Sequence, residues 1–404
     1  MSNKREVINN IISLSSINVL GIIIPIITMP ILSRALGSEL YGQYLLLITI
    51  LIFGHTIIDY AVQYVGVRDV SKSRENYNKI RKYYIEYQSL RLLLCSIYTF
   101  VVLVYSYLFL SENMFKWLIF SGIPYLVGYV LSSFWFYQSL AETKFLAYAN
   151  ILSRVISLLV IILAVQEPDD INLVVISSTW PIFISGIILF LRIKKEYKIN
   201  IFFCRKNLFS NIKNGYAVFI GTLAPNLYNS IPTIILGSIS SPSEFAKFAI
   251  ASRICGIITT FQDILSRSFF PVLTRNKKNY LNKILIINSL LSIPLVILLL
   301  FFGENILLIF LGKQYENNIY LEILSIGIIF IGIINTYSDG YFLPKGYDRI
   351  YKNISIRISL ISALIAYILI YNYSLLGGAI AITLARILFS FDYYLSYKKI
   401  SKNP

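Results

Sequence analysis

The chain repeats itself at a fixed spacing, and each copy is built from membrane-length apolar runs. Tyr41-Gly42-Gln43-Tyr44 recurs as Phe245-Ala246-Lys247-Phe248, and Asp59 recurs as Asp263, both 204 residues on. Tyr148-Ala149-Asn150-Ile151, with Arg154 three residues later, recurs as Tyr351-Lys352-Asn353-Ile354 with Arg357 three residues later, an offset of 203. Ile193-Lys194-Lys195 and Tyr397-Lys398-Lys399 close the two halves at 204 again. Internal repeats of apolar segments are how many secondary transporters are built, with the substrate site between the repeats. The pattern points to a carrier.

Composition agrees. Apolar residues make up 56% and charged residues 14% of the chain, against about a quarter charged in soluble domains, and the mean hydropathy is +0.68. A net charge of +16 could suggest nucleic acid, but the basic residues sit in short clusters between apolar runs, the pattern that orients helices in a bilayer. Cys95, Cys204 and Cys255 have no CxxC spacing, so neither a disulfide framework nor a metal site is expected. Lys4 and Arg5 precede a long apolar run with no small-residue cleavage site, which reads as a retained first helix.

With about 20 apolar residues needed per span, twelve spans are expected, near 11–33, 42–66, 86–110, 114–138, 146–166, 171–192, 212–237, 245–271, 283–303, 318–343, 353–372 and 375–397. Of the 36 Lys and Arg residues, 28 fall on the side of the termini, and four (Arg34, Lys116, Lys247, Lys313) on the other. The remaining four, Arg91, Arg154, Arg253 and Arg386, fall within spans. This bias predicts cytoplasmic termini and an even number of spans. Six spans per copy make the halves parallel repeats. The expected fold is all-α and integral to the membrane. It comprises an N-terminal six-helix lobe at 1–192, a basic cytoplasmic linker at 193–211 and a C-terminal lobe at 212–404, arranged around a central cavity. No outer connection is long enough to hold a catalytic domain.

The first helix of each half carries two prolines, Pro25 and Pro30, then Pro225 and Pro232. Each removes a backbone donor and tends to kink its helix. Asn18, Asn226 and Asn229 lie beside them, which reads either as a flexible, cavity-lining helix or as ordinary kinked packing.

Pro30-Ile31-Leu32-Ser33-Arg34-Ala35-Leu36-Gly37, followed by Glu39 and Tyr41-Gly42-Gln43-Tyr44, resembles the first-hairpin signature of the polysaccharide flippases of the MOP (MATE-like) superfamily, especially the Wzx-type O-antigen flippases. Pro232-Thr233-Ile234-Ile235-Leu236-Gly237 is similar to the start of their second half. The resemblance implies V-shaped lobes in the bacterial inner membrane. These would move an undecaprenyl-pyrophosphate-linked oligosaccharide, an O-antigen or similar lipopolysaccharide or polysaccharide repeat unit, from the cytoplasmic to the periplasmic leaflet by alternating access. It also allows a polysaccharide polymerase and a chain-length regulator as partners.

An ionisable group within a span costs about 2.5–3.5 kcal/mol on insertion scales, so it usually faces a cavity or a partner. Arg offers a permanently charged fork matched to phosphate oxygens. Arg91, Arg253 and Arg386 are therefore candidate pyrophosphate contacts, with Arg34 as an outer-side candidate. The competing reading is a structural ion pair or a side chain reaching for the interface. Arg154 and Arg357 are expected at cytoplasmic helix ends, as anchors. Asp59, Asp263 and Asp339 are candidates for proton or cation coupling, or else neutralise arginines on neighbouring helices. Tyr137, Gln138 and Tyr337 would offer sugar a polar, stackable path, or belong to an interfacial aromatic belt.

His55 is the only histidine and no P-loop is present, which leaves histidine catalysis and ATP hydrolysis without their residues. The expectation is a carrier rather than an enzyme, without cofactor or metal. The alternatives are a MATE-like multidrug or cation extruder, and an integral-membrane glycan polymerase or ligase.

Overall fold

In a lipid environment every backbone polar group must find its partner within the protein, and runs rich in Ile and Leu do so as helices. A computed structural model of the chain describes the backbone of residues 3–73, 75–199, 203–204, 207–275, 281–316 and 318–402, and their side chains except at 3–18, 217, 264–265, 267–275, 348 and 401–402. Among the described residues the fold is all-α, with no strand. The chain divides into two compact units, Met1–Leu223 and Ala224–Pro404.

Unit 1 contains α1 (Asn3–Asp59), α2 (Val62–Ser71), α3 (Tyr77–Phe109), α4 (Glu112–Trp117), α5 (Ile123–Ser132), α6 (Phe134–Leu140), α7 (Thr143–Ala164), α8 (Ile171–Tyr197) and α9 (Leu208–Leu223). A π-helical turn, Leu118–Gly122, joins α4 to α5. Within α1 the helix breaks at Gly37, with φ 69° and ψ 173°, a region essentially reserved for glycine. Further breaks fall at Tyr60 and Ala61, between α1 and α2, and at Ser133, between α5 and α6, all with positive φ. The short helices α2 and α6 that follow pack on one another. Their core is aromatic, with Tyr84, Tyr87, Trp135, Phe136 and Tyr137 buried against Leu189 and Ile193.

Unit 2 opens with a 3-10 turn at Ala224–Leu227, followed by α10 (Ser230–Ile239), α11 (Pro242–Arg275), α12 (Leu281–Leu311), α13 (Ile319–Tyr337) and α14 (Asp348–Lys402). A π-helical turn, Ser338–Phe342, extends α13. In α14 the helix breaks at Ser374, with φ 51° and ψ −126°. Tyr337, Tyr341, Phe342, Phe389 and Tyr393 form its aromatic core, with Ile354 and Ile358.

Eight stretches among the described residues are long and apolar enough to cross a membrane, from Val19–Asp59 to Arg349–Ile400. These two are 41 and 52 residues long. At 1.5 Å per residue that is roughly twice the ~30 Å bilayer core, and each is broken near its middle, at Gly37 and Ser374. The expected seventh span does not stand among the eight, because the turn at Ala224–Leu227 cuts it into α9 and α10. The expected eighth, α11, carries Lys247, Arg253 and Asp263 along its length. Large apolar side chains are exposed in both units, among them Phe120 (69% exposed), Phe301 (77%) and Tyr371 (81%). The protein is a multi-pass membrane protein.

The basic connection expected at 193–211 is partly structured. α8 runs on to Tyr197, Ile199 is fully buried, Cys204 N–H donates to Ser89 Oγ at 2.9 Å and Asn207 Nδ2 donates to Glu86 Oε1 at 2.5 Å. α9 then packs within unit 1. Tyr60 Oη donates to the Ile212 carbonyl at 3.3 Å, and its ring stacks on Phe219 at 4.2 Å.

Candidate functional site

In unit 1 the break at Ser133 leaves the last carbonyls of α5 short of helical partners, as at any helix C-terminus. α3 supplies them. Gln88 Nε2 donates to the Val130 carbonyl at 2.6 Å, and Arg91, one turn on, donates through Nη1 to Val130 at 3.0 Å and through Nη2 to Tyr129 at 3.3 Å. A cation at a helix C-terminus also complements the helix dipole. Arg91 Nη2 stands 3.3 Å from Asp59 Oδ1, and Tyr129 Oη donates to Asp59 Oδ2 at 2.5 Å. The guanidinium lies 5.2 Å from the centroid of the Tyr129 ring. That ring stacks on His55 at 3.6 Å, and His55 stacks in turn on Tyr125 at 5.4 Å. Arg91 is 1% exposed. Both of its terminal nitrogens are engaged by the protein, and its Nε is buried without an acceptor.

Unit 2 handles its charges differently. Asp263 Oδ1 accepts from Asn335 Nδ2 at 2.6 Å. Next to it in sequence, Gln262 opens a buried polar seam between α11, α12 and α13. Its Nε2 donates to Ser292 Oγ at 2.9 Å and to the Ile328 carbonyl at 3.1 Å. Asn288 Nδ2 donates to Ser266 Oγ at 3.1 Å and to Thr336 Oγ1 at 3.0 Å. Arg386, on the second half of α14, lies over Gly327, where a Cβ would stand 2.8 Å from its Cδ and Nη1. It donates from Nη1 to the Leu324 carbonyl at 3.3 Å, and Cys255 and Tyr228 lie within its electrostatic reach. Among the described residues no carboxylate pairs with Arg386, and half-buried Arg253 makes neither an ion pair nor a hydrogen bond.

The other expected residues scatter. Arg34 is exposed, one turn before the break at Gly37. Asp339 sits in the π-helical turn after α13. Tyr137 is buried and donates to the Leu189 carbonyl at 2.7 Å, and Gln138 accepts from Gln63. Asn226 accepts from Ser230 Oγ at 2.7 Å, whereas Asn229 is exposed. Tyr337 packs among Tyr394 and Tyr397. The Asn18 side chain lies outside the described residues. Of all these, Asp59 and Arg91 are brought into direct contact. Tyr129, Gln88, Gln262 and Asn288 were missed by sequence reasoning; an amide or tyrosine inside an apolar span is the signal that could have marked them.

An arginine paired with a carboxylate and bonded to backbone carbonyls holds structure, whereas one lacking a carboxylate can take an external oxyanion. Among the described residues, no group of three or more His, Cys, Asp or Glu side chains is placed to hold a metal ion.

Comparison with known proteins places these features. The model of the family described as polysaccharide biosynthesis protein matches residues 7–277. A protein of Escherichia coli (strain K12) assigned as an O-antigen transporter is 26% identical over 395 residues, covering 94% of each chain. The capsular polysaccharide biosynthesis protein CapF of Staphylococcus aureus is 26% identical over 280 residues, covering 65% of this chain and 69% of its own. Among solved structures, the lipid II flippase MurJ in an inward closed conformation superposes with a TM-score of 0.74 at 16% identity, over 97% of this chain and 87% of that one. An inward-facing multidrug resistance MATE transporter of the MOP superfamily gives 0.70 at 14% identity, over 97% and 98%. The chain therefore belongs to the polysaccharide biosynthesis protein family.

Proposed function

We propose that this protein is a flippase that carries an undecaprenyl-pyrophosphate-linked oligosaccharide from the cytoplasmic to the periplasmic leaflet of the bacterial inner membrane, by alternating access and without covalent chemistry. In this reading both halves of α1 and of α14, together with α9–α10 and α11, make twelve spans; an even number puts both termini on one side, and the basic-residue bias supports the cytoplasm. The family and the O-antigen transporter assigned in Escherichia coli support the substrate class. The observation that carries the reading is Arg386: a guanidinium deep in a helix, held by a single carbonyl and neutralised by no described carboxylate. A diphosphate is a compact multiple anion that such a fork can hold through charge-assisted hydrogen bonds. Arg253, also without a carboxylate, is the second contact in unit 2, and exposed Arg34 meets the headgroup at the outer side. Arg91 serves the fold, holding the last carbonyls of α5 and the carboxylate of Asp59. Asp263 and Asp339 remain the coupling candidates of unit 2, and Asp59 that of unit 1. Polymerase and chain-length regulator would act on the product.

The test is reconstitution. Purified protein goes into proteoliposomes carrying a fluorescent undecaprenyl-pyrophosphate oligosaccharide in one leaflet, and its accessibility to an external quencher is followed. Protein-dependent translocation is expected. Folded protein, supplied with a matching sugar, that leaves the lipid in its original leaflet would overturn the reading.

A further inference from the structure

Arg154 is not the interfacial anchor that its sequence position suggests. It lies eleven residues into α7, a helix of 22 residues, Thr143–Ala164, so it stands about 16 Å from either end, beyond easy reach of the interface. Its guanidinium rests against α1 at Gly21, where an added Cβ would meet Nη1 at 3.1 Å, Nη2 at 3.6 Å and Cζ at 3.7 Å. A side chain at this position would press on the fork. No described residue donates to, accepts from or pairs with it.

A second donor belongs to the same unit. Tyr125 of α5 is 6% exposed, is held by its stack on His55, and lies within electrostatic reach of Arg154. Its hydroxyl has no hydrogen-bond partner among the described residues. Tyr44 Oη, bonded to Ser178 Oγ at 2.9 Å, is the nearby hydroxyl that already has a partner. A permanent cation and a phenol, both without an acceptor among the described residues of a membrane-spanning unit, leave an oxyanion as the complementary ligand.

The repeat supplies the contrast. Arg357, the counterpart of Arg154 in unit 2, is clamped by Asp392, with Nη2 at 2.6 and 2.5 Å from the two carboxylate oxygens. The corresponding places in unit 1 are Ile188 and Leu189. The same arginine has its carboxylate in one unit and not in the other.

We propose that Arg154 and Tyr125 form an oxyanion-binding point inside unit 1, and that its occupant is the diphosphate of the lipid-linked oligosaccharide. The occupant rests on the flippase reading; the oxyanion site rests on the geometry alone. The chemistry is shared with an anionic phospholipid headgroup, so the experiment separates the two sources. The full-length protein in nanodiscs of phosphatidylcholine is titrated with a fifteen-carbon polyprenyl diphosphate, with the corresponding alcohol as control, and the ligand-induced rise in Tm is read. A parallel series replaces half of the phosphatidylcholine with phosphatidylglycerol. The diphosphate, and not the alcohol, should raise the Tm. Arg154→Gln should weaken binding about tenfold to a hundredfold and Tyr125→Phe about fivefold, with Arg154→Lys in between, while Arg357→Gln binds as wild type does. Tyr125→Phe and Gly21→Ala, which keep the charge, carry the test if Arg154→Gln does not fold. Wild-type binding that Arg154→Gln or, in its place, Tyr125→Phe and Gly21→Ala leave unchanged would overturn the site and spare the flippase reading. Failure of the wild type to bind diphosphate, with an Arg154-dependent response to phosphatidylglycerol, would overturn the occupant. No response to either anion would overturn the site.

Discussion

Asp59 and Asp263 stand 204 residues apart in matching sequence segments, yet their described partners differ in kind. Asp59 meets Arg91 at 3.3 Å and the Tyr129 hydroxyl at 2.5 Å. Asp263 accepts from the neutral amide of Asn335 at 2.6 Å. Where unit 1 has Arg91, the repeat register puts Pro294 or Leu295 in unit 2, and where unit 2 has Arg386, unit 1 has Ile182 or Phe183. The matching segments share the carboxylate and differ in where their arginines stand. Unit 1 spends one arginine on closing a broken helix and neutralising its aspartate, whereas unit 2 keeps Arg253 and Arg386 without a described carboxylate. The lesson is that a charge inside a span announces its role through its partners and not through its depth.

The contrast can be broken most forcefully at the ion pair. Arg91→Leu strands the Asp59 carboxylate and removes the donors from Tyr129 and Val130, and should cost about 3 kcal/mol, read as a lower midpoint of thermal unfolding in detergent. Asp59→Asn should cost nearly as much, since it leaves Arg91 buried without its counter-ion. A small effect from either would show that the pair is not what holds the break at Ser133.

Asp263→Asn sharpens the same comparison from the other side. An amide oxygen still accepts from Asn335, so the loss should be about 1 kcal/mol in the same unfolding measurement. If Asp263 couples transport, this variant also changes the pH or cation dependence of translocation. A stability loss as large as that of Asp59→Asn would erase the distinction between the units.

The smallest effect is expected where the repeats turn. Unit 1 connects α7 to α8 through Pro168–Asp170, a 3-10 turn whose capping box closes between Glu167 and Asp170, while unit 2 turns at Ser374 alone, with φ 51°. A non-glycine residue there is strained by about 1 kcal/mol. Ser374→Gly should therefore raise thermal stability slightly, and no gain would mean that the break is held by something other than its backbone.

The helices and the two turns at Gly37 and Ser374 were readable in the sequence because each follows from apolar runs and their spacing. The breaks at Tyr60, Ala61 and Ser133 were not, because none of these residues is a glycine or a proline; tertiary packing around Trp135 and Tyr84 enforces them. The turn at Ala224–Leu227 had its signal in Pro225, but its consequence, that α9 packs within unit 1, depends on contacts of Tyr60 that no local pattern carries. The deep arginines were legible as charges in apolar runs. Which of them had partners was not, since Tyr129 and Asp392 reach them from other helices, and Arg154 lies at the middle of α7 and not at its end.

The most direct test of the account compares two arginines in one assay. Translocation of the lipid-linked oligosaccharide is measured in proteoliposomes for Arg386→Gln and Arg91→Gln, each normalised to the amount of folded protein. Arg386→Gln should fold normally and translocate at least about tenfold more slowly, the loss of one charge-assisted contact, while Arg91→Gln should be poorly folded but active in the fraction that folds. Full translocation by folded Arg386→Gln, with loss confined to folded Arg91→Gln, would contradict this.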